Sequence, residues 1–439
     1  MISRPNPTAR PGSFQLRPFE APPLAALLAA AALLLLPPPA SAVKRRAFVT
    51  SGTGTGDLAS WPGASGAPGA TALEHADSIC RVHAASGLLP NANTYRAWIS
   101  TDEADAYCHV QGLDGTRSSG CNGAALPGGG PWYLANGITP WSGTLDQMTG
   151  PEALLYRPIS LDENLDEISS EFSERLIWTG TNRSGQAFST LQCDDWSASA
   201  GASTGATGDA QGVGERFTRA FSPTCDSSNH LLCLEPGTSE TVTPRWAPGA
   251  LAFASSVRGT GDLGSWPAAD GLAGIDAGFR ICRNLAAAAH LPAPASFVPW
   301  LSTSLVDAVD RLTTDGPFRR PDGLIMALDV AELVGPAFPR NSLHQQEDGR
   351  YLDGGHDRVW TGSLADGTGD GYLCDDWTND VSGHGRSGGA NVGRVFEWTD
   401  DNNYFCSNQQ RLYCFSNVIT LFWDGFESAT TERWTTAVP

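Results

Sequence analysis

The chain has 439 residues, with 47 acidic side chains against 28 basic ones and a formal net charge of -19. A surface this acidic repels phosphate groups, so charge excludes a nucleic-acid-binding protein and a protein that docks on anionic lipid. The length allows two or three domains at about 150 residues each.

Residues 1–42 have the pattern of a secretory leader. Three arginines precede an uninterrupted Leu/Ala run of 13 residues, 24–36, and a small-residue cleavage site follows at 40–42. The run is shorter than the ~20 apolar residues that span a bilayer, which favours a cleaved leader over a membrane anchor. We therefore expect an exported protein, secreted or at the cell surface, with no membrane span after cleavage. Lys44 is the single lysine, and this bias towards arginine is typical of a GC-rich bacterial genome.

The cysteines form a pattern that occurs twice. Each half has three cysteines spaced by 32 and then 8 residues, preceded by a fourth; the two sets are Cys80, Cys193, Cys225 and Cys233, and Cys282, Cys374, Cys406 and Cys414. Ten cysteines in an exported chain are typical of disulfides. The repeated spacing indicates a duplicated folding unit.

Short motifs repeat with the cysteines. Trp-Thr-Gly occurs at 178–180 and 360–362, and Cys-Asp-Asp-Trp occurs at 193–196 and 374–377. We expect five segments, which are a leader at 1–42, module 1 at 47–235, a linker at 236–250, module 2 at 251–416 and a tail at 417–439. The linker is assigned from its proline, serine and threonine content, and each module is expected to fold on its own.

The first elements of module 1 are a strand and a helix. A strand at 48–51 is followed by a helix at 73–85, whose apolar residues recur at helical spacing and whose end is marked by Gly87. Module 2 repeats this spacing with Ile275, Phe279, Cys282 and Ala286.

The remaining elements are strands, a second helix and long loops. A strand at 95–100 leads to a helix that a capping box of Ser100 and Glu103 would open. Loops then precede a strand ending in Trp-Thr-Gly, and an apolar strand at 231–234 closes the module. This order predicts a loop-rich α+β domain.

Several of these segments resemble a known domain. They are Phe48-Val49-Thr50, the helix that carries Cys80, Ile177-Trp178-Thr179-Gly180, the Cys193–Trp196 turn and Leu231–Glu235. Together they resemble an uncharacterised domain of bacterial surface proteins that is similar to collagen endostatin, and so to the C-type lectin-like fold. The resemblance covers both modules. It implies two tandem endostatin-like modules.

Spacing alone leaves three pairings open for four cysteines. The resemblance implies nested pairs, with the first cysteine of each module bonded to the fourth and the second to the third. The implied disulfides are Cys80–Cys233, Cys193–Cys225, Cys282–Cys414 and Cys374–Cys406. The extra pair Cys108 and Cys121 of module 1 also fits the bacterial domain.

The acidic motifs offer a catalytic or calcium-binding alternative. The aspartates of the two Cys-Asp-Asp-Trp motifs could act in acid/base catalysis, but an Asp beside a disulfide more often caps a turn. The segment 366–371 is similar to half of an EF-hand loop, although Trp377 stands where that loop needs glutamate. The histidines do not recur between the modules. We therefore expect no metal, no cofactor and no enzyme activity.

Aromatic residues in loops are the candidate ligand-binding residues. Trp132, Tyr133 and Trp141 lie in a Gly/Pro-rich segment that we interpret as an insertion peculiar to module 1. Such rings either anchor a partner or pack inward, and the sequence leaves both alternatives open. The loops at 112–175 and 313–358 differ most between the modules and are the expected ligand surface.

These observations favour an exported, non-catalytic binding or adhesion protein. Its expected partner is an extracellular glycan or protein, such as a matrix or surface protein. A secreted hydrolase that uses the paired aspartates and a purely structural surface protein are the alternatives.

Overall fold

The computed structural model describes residues 43–151, 153–242, 247–336, 339–352 and 357–421. The predicted leader and most of the predicted tail lie outside these ranges. Within them, no helix is both long enough and apolar enough to cross a membrane.

Module 1 is a mixed α+β structure built on a six-stranded sheet. Its strands are β1 (Arg45–Val49), β2 (Arg96–Ala97), β3 (Trp132–Leu134), β4 (Leu176–Trp178), β5 (Thr207–Asp209) and β6 (His230–Leu234). Its helices are α1 (Ala72–Ser86), α2 (Ala106–His109) and α3 (Leu145–Thr149). The sheet order is β3-β1-β6-β4-β5, and β2 also pairs with β6.

Module 2 has an eight-stranded sheet. Its strands are β7 (Gly249–Ala254), β8 (Phe297–Pro299), β9 (Phe318–Arg319), β10 (Ile325–Ala327), β11 (Arg358–Trp360), β12 (His384–Gly389), β13 (Asn402–Phe405) and β14 (Arg411–Thr420). Its helices are α4 (Gly274–Ala288) and α5 (Val330–Val334). The sheet order is β10-β9-β7-β14-β11-β12-β13, with β8 pairing with β14.

The two sheets share one topology. In both modules the first strand pairs antiparallel with the long closing strand, which pairs parallel with the Trp-Thr-Gly strand. The first strand also pairs in parallel with the strand that follows a Gly-Pro dipeptide, β3 in module 1 and β9 in module 2. The duplicated sequence therefore folds into duplicated sheet pairings.

The first predicted helix is confirmed, while the predicted capping box is wrong. Helix α1 begins after Thr71, which forms a capping box with Glu74, and ends at Gly87. The Ser100 hydroxyl instead accepts a hydrogen bond from the amide of Ala106 at 2.9 Å, and α2 is a single turn. In module 2 the corresponding helix is only a 3-10 turn, Val309–Arg311.

Each sheet has a hydrophobic cluster on both faces. In β1, Phe48 packs with Ile79 of α1 on one face, and its neighbours Ala47 and Val49 join the opposite cluster, which contains Trp98. This follows from the alternation of side chains along a strand. Module 2 repeats the arrangement around β7.

The five disulfides are the pairs that the resemblance implied. They are Cys80–Cys233, Cys108–Cys121, Cys193–Cys225, Cys282–Cys414 and Cys374–Cys406, with Cα–Cα distances of 5.4–5.6 Å. The outer pair of each module joins the long helix to the closing strand. None of the cysteines in the described part of the chain is free.

Contacts across the module boundary are extensive, and both modules belong to one compact unit. The guanidinium of Arg175 is fully buried and lies 2.6 Å from the carboxylate of Glu397 in module 2. Two backbone hydrogen bonds cross the same boundary, from Val213 to Asn391 and from Gly393 to Gln211. Packing and hydrogen bonds between the modules therefore hold them together.

Residues 236–242 of the predicted linker lie against module 1, whereas Gly249 and Ala250 belong to strand β7 of module 2. The amide of Gly130 donates to Gly237 at 3.0 Å, and the amide of Ser239 donates back to Gly130 at 3.0 Å. The hydroxyl of Ser239 accepts from the amide of Arg45 at 2.7 Å. Residues 237–239 are therefore bound to module 1, although their composition predicted a linker with few contacts.

Candidate ligand-binding grooves

The three aromatic residues proposed as ligand anchors are buried. Trp132 and Trp141 are 0% exposed and Tyr133 is 5% exposed. The indole of Trp132 donates to the carbonyl oxygen of Glu235 at 2.9 Å, and Trp141 packs edge-on against Phe217. These rings therefore pack into the core and are not exposed to a partner.

The segment that carries these rings is also not peculiar to module 1, which corrects the sequence interpretation. Gly130-Pro131-Trp132 of module 1 corresponds to Gly316-Pro317-Phe318 of module 2, because both dipeptides have a cis bond and both lead into the same parallel strand pair. The segment without a counterpart is the preceding loop, which the Cys108–Cys121 disulfide closes.

The Cys-Asp-Asp-Trp motifs form left-handed turns. All four residues of both motifs have positive φ angles between 46° and 68°, which is unfavourable for residues other than glycine. The indole of Trp196 donates to the carbonyl oxygen of Ser100 at 2.7 Å and anchors the turn. The Asp195 carboxylate accepts from the amide of Asp102, and Asp376 accepts from Ser304 in the same way. These two aspartates therefore attach the turn to the loop that carries Asp102 in module 1 or Ser304 in module 2.

The carboxylates of the acidic segment 366–371 in module 2 also have partners within the protein. The Asp366 carboxylate accepts from the amide and hydroxyl of Thr368, and Asp370 forms an ion pair with Arg386. Among the described residues, no group of three or more metal-ligating side chains lies together.

A polar groove of about 440 Å³ lies on module 1 beside the start of β6. Its lining includes Ser51, Thr53, Ser228 and His230, together with the acidic residues Asp162, Glu167 and Glu174. Both ring nitrogens of His230 lie within 2.9 Å of carbonyl oxygens, those of Thr50 and Glu174. We call this groove 1.

A second groove of about 350 Å³ lies on module 2 beside the start of β14. It is lined by Arg258, Arg358, Tyr404, Asn408, Gln409 and Gln410. The Arg358 guanidinium stacks 4.0 Å from the centre of the Tyr404 ring and donates to Asp401 at 2.6 Å. We call this groove 2.

The two grooves occupy equivalent positions in the duplicated fold. Gly54 and Asn229 exchange backbone hydrogen bonds in module 1, and Gly259 and Gln410 do the same in module 2. The residues before these glycines are Thr53 and Arg258, and each lines its groove.

The glycine in this bridge is required by packing. A Cβ atom at Gly259 would lie 2.1 Å from the indole nitrogen of Trp266, and one at Gly54 would lie 2.4 Å from that of Trp61. The carbonyl oxygen of Gly259 also accepts from the indole of Trp360 at 3.1 Å. The segments Gly-Thr-Gly-Asp-Leu and Ser-Trp-Pro occur in both modules, at 54–58 and 60–62 and at 259–263 and 265–267. In module 2 their packing fixes the backbone next to Arg258.

A buried glutamate supports the neighbouring loop in each module. Glu163 accepts from the amide and hydroxyl of Ser51 and lies 2.7 Å from the Nδ1 atom of His83, while Glu347 accepts from the amide and hydroxyl of Ser256. Burial raises the pKa of Glu163, but the hydrogen bonds from His83 and Ser51 outweigh it and bring this pKa down to about 2.

The matching carboxyl group of module 2 has the opposite shift. Burial raises the pKa of Glu347, and the hydrogen bonds from Ser256 offset this only in part. The helix position that holds His83 in module 1, three residues after the first cysteine, holds Leu285 in module 2. Both modules therefore have the contact between a buried glutamate and a serine, but only module 1 has a histidine that lowers the pKa of the glutamate.

Sequence reasoning missed both grooves. The usable signal was the change from Thr53 to Arg258 directly before the segments 54–58 and 259–263, which both read Gly-Thr-Gly-Asp-Leu. The predicted variable loops reach the grooves at two places, with Asp162 to Glu174 in groove 1 and Arg358 at the edge of groove 2. No protein-family model matches the chain, and no curated protein matches it either.

Proposed function

We propose that this protein is an exported, non-catalytic binding protein that recognises an extracellular glycan. The observation that carries the proposal is the pair of polar grooves at equivalent positions in two copies of one fold. Hydroxyl, carboxylate and imidazole groups line groove 1, and guanidinium, phenol and amide groups line groove 2. Such groups form the directed hydrogen bonds that fix a polar ligand.

We also propose that the modules belong to the endostatin-like group of C-type lectin-like folds. The support is the nested arrangement of the disulfides and the match between the two sheet topologies. Five disulfides are typical of a protein from an oxidising compartment, which supports export.

The engagement of three of the four paired aspartates supports a binding role over a hydrolase. Asp195 and Asp376 accept hydrogen bonds from backbone amides, and Asp194 accepts from the hydroxyl of Ser203 at 2.9 Å. A general acid or base must instead reach a proton on the substrate.

A screen of the purified protein would test the proposal. The protein, produced in an oxidising compartment, would be applied to an array of neutral and acidic glycans, with matrix proteins on the same surface. We expect saturable binding to a subset of the glycans. Retention by matrix proteins alone would contradict glycan recognition, and release of sugar products from the array would indicate an enzyme.

A further inference from the structure

We propose that groove 2 binds the carboxylate of an acidic sugar, such as a uronic acid, and that groove 1 does not. This inference rests on the proposed glycan-binding function and adds a ligand class to one of its two sites. Its basis is the opposite charge of two grooves that the fold places at equivalent positions.

The charges differ because Arg258 stands where module 1 has Thr53 and because different segments complete the two linings. Within the part of the chain that the structure describes, the lining of groove 1 contains three acidic residues and no lysine or arginine. Among the described residues, the lining of groove 2 contains two arginines and no acidic residue. An anionic ligand would therefore be repelled by groove 1 and attracted by groove 2, although both belong to one acidic protein.

The positive charge of groove 2 is not fully neutralised. Arg358 pairs with Asp401. Arg258 is half-buried and has no ion pair or hydrogen bond to any other described residue. Its guanidinium is available to a ligand. At physiological ionic strength, charges beyond about 8 Å are largely screened, so these local groups outweigh the net charge of the chain.

The other lining groups suit a sugar that carries a carboxylate. A guanidinium offers two parallel N–H donors, which match the two oxygens of a carboxylate. Asn408 and Gln409 are exposed amides that can bond to hydroxyl groups. The neighbouring Gln410 is buried, its oxygen accepts from Ser387 at 2.6 Å, and its amide nitrogen has no partner among the described residues.

The test compares two disaccharides that differ only in their terminal residue, glucuronic acid or glucose. Calorimetry with the full protein would give the dissociation constant of each. We expect the acidic disaccharide to bind at least about tenfold more tightly, because one charge-assisted hydrogen bond accounts for a difference of this size.

Two variants locate this preference. Arg258→Thr introduces the residue that module 1 has at the same position and should abolish the preference without changing the melting temperature. Arg350→Thr removes another arginine of module 2, whose side chain is 75% exposed, and should leave the preference unchanged.

The possible failures are distinct. Equal affinity for the two disaccharides, or a preference that survives Arg258→Thr, would overturn the inference and leave glycan binding intact. Binding to neither disaccharide nor any arrayed glycan would overturn the proposed function as well. Preferential binding to a short peptide with a free rather than an amidated C terminus would overturn the sugar assignment in favour of a protein ligand.

Discussion

Arg320 of module 2 donates a hydrogen bond to the backbone carbonyl oxygen of Tyr156 in module 1 over 2.7 Å, and its guanidinium is fully buried. The same guanidinium pairs with Asp322. It also donates to the Nδ1 atom of His344, whose Nε2 atom donates to Leu155 of module 1 at 2.7 Å. Burial and the adjacent positive charge of Arg320 lower the pKa of His344 to about 3, so the ring is neutral and can both accept and donate.

The first prediction concerns this contact. Arg320→Ala should lower the free energy of unfolding by about 3–5 kcal/mol, because it leaves the buried charge of Asp322 without its counter-ion and the carbonyl oxygens of Tyr156 and Ser342 without this donor. Urea denaturation would measure the loss. Arg350→Ala is the control, since its pair with Asp348 is exposed and should contribute less than about 1 kcal/mol. Equal losses in the two variants would contradict the importance of the buried pair.

The second prediction concerns the stability of isolated modules. Fragments 43–242 and 247–421 should each unfold cooperatively, because each keeps its own disulfides and both hydrophobic clusters. Each should melt at a lower temperature than the intact chain, since Arg175, Arg320 and His344 lose partners in the other module. Calorimetry of the fragments would check this. Fragments as stable as the whole chain would show that the interface contributes nothing, and fragments without a transition would show that the halves share a core.

The third prediction compares the two buried glutamates across pH. The pKa of Glu163 is about 2 in the folded protein and about 4.3 in an unfolded chain, so its contribution to stability is present above about pH 5 and is lost as pH falls towards 2. Glu163→Gln should therefore lower stability at pH 7 by roughly 1–3 kcal/mol, and the difference from the unmodified protein should vanish near pH 2.

Glu347→Gln is the matched control for that experiment. The pKa of Glu347 is raised in the folded protein, so its contribution is greatest in acid and decreases as pH rises through this pKa. At pH 7 the variant should be as stable as the unmodified protein or more stable. The urea midpoints of both variants would be measured between pH 2 and pH 7. The same pH dependence in both would contradict the role of His83 in lowering the pKa of Glu163.

The fourth prediction concerns Trp132. Because the indole is buried and bonded to Glu235, Trp132→Ala should lower the free energy of unfolding by about 3–5 kcal/mol. Trp132→Phe introduces the aromatic ring that module 2 has at Phe318 and should be less destabilising. Thermal unfolding of the two variants would test this order. If the alanine variant were as stable as the unmodified protein, Trp132 would not contribute to the core and would again be a candidate ligand anchor.

The fifth prediction is that stability does not depend on a metal ion. Protein donors already occupy the carboxylates of Asp366, Asp370 and Asp376. A chelator should therefore leave the melting temperature unchanged. A metal ion present at 100 times its dissociation constant would add about 2.7 kcal/mol to the free energy of unfolding. A fall of several degrees in the melting temperature on adding the chelator would therefore contradict the prediction.

Features that depend on local pattern could be predicted from the sequence. The boundaries of α1 were recognisable because an amphipathic helix repeats its apolar residues at a fixed interval and ends at a glycine. The capping box at Ser100 was not a valid prediction, since the Ser100 hydroxyl accepts instead from an amide six residues along the chain. Local motifs state which bonds are possible, and the surrounding backbone selects among them.

The sequence by itself determined the duplication, the α+β composition and the position of the cysteines, because these follow from spacing along the chain. Only the tertiary structure decided that Trp132 faces the core, that Arg320 of one module reaches the backbone of the other, and that Arg258 meets Arg358 across a groove. These relationships join residues about 100 or more positions apart. Their geometry depends on how the strands pair and pack, which no short stretch of sequence specifies.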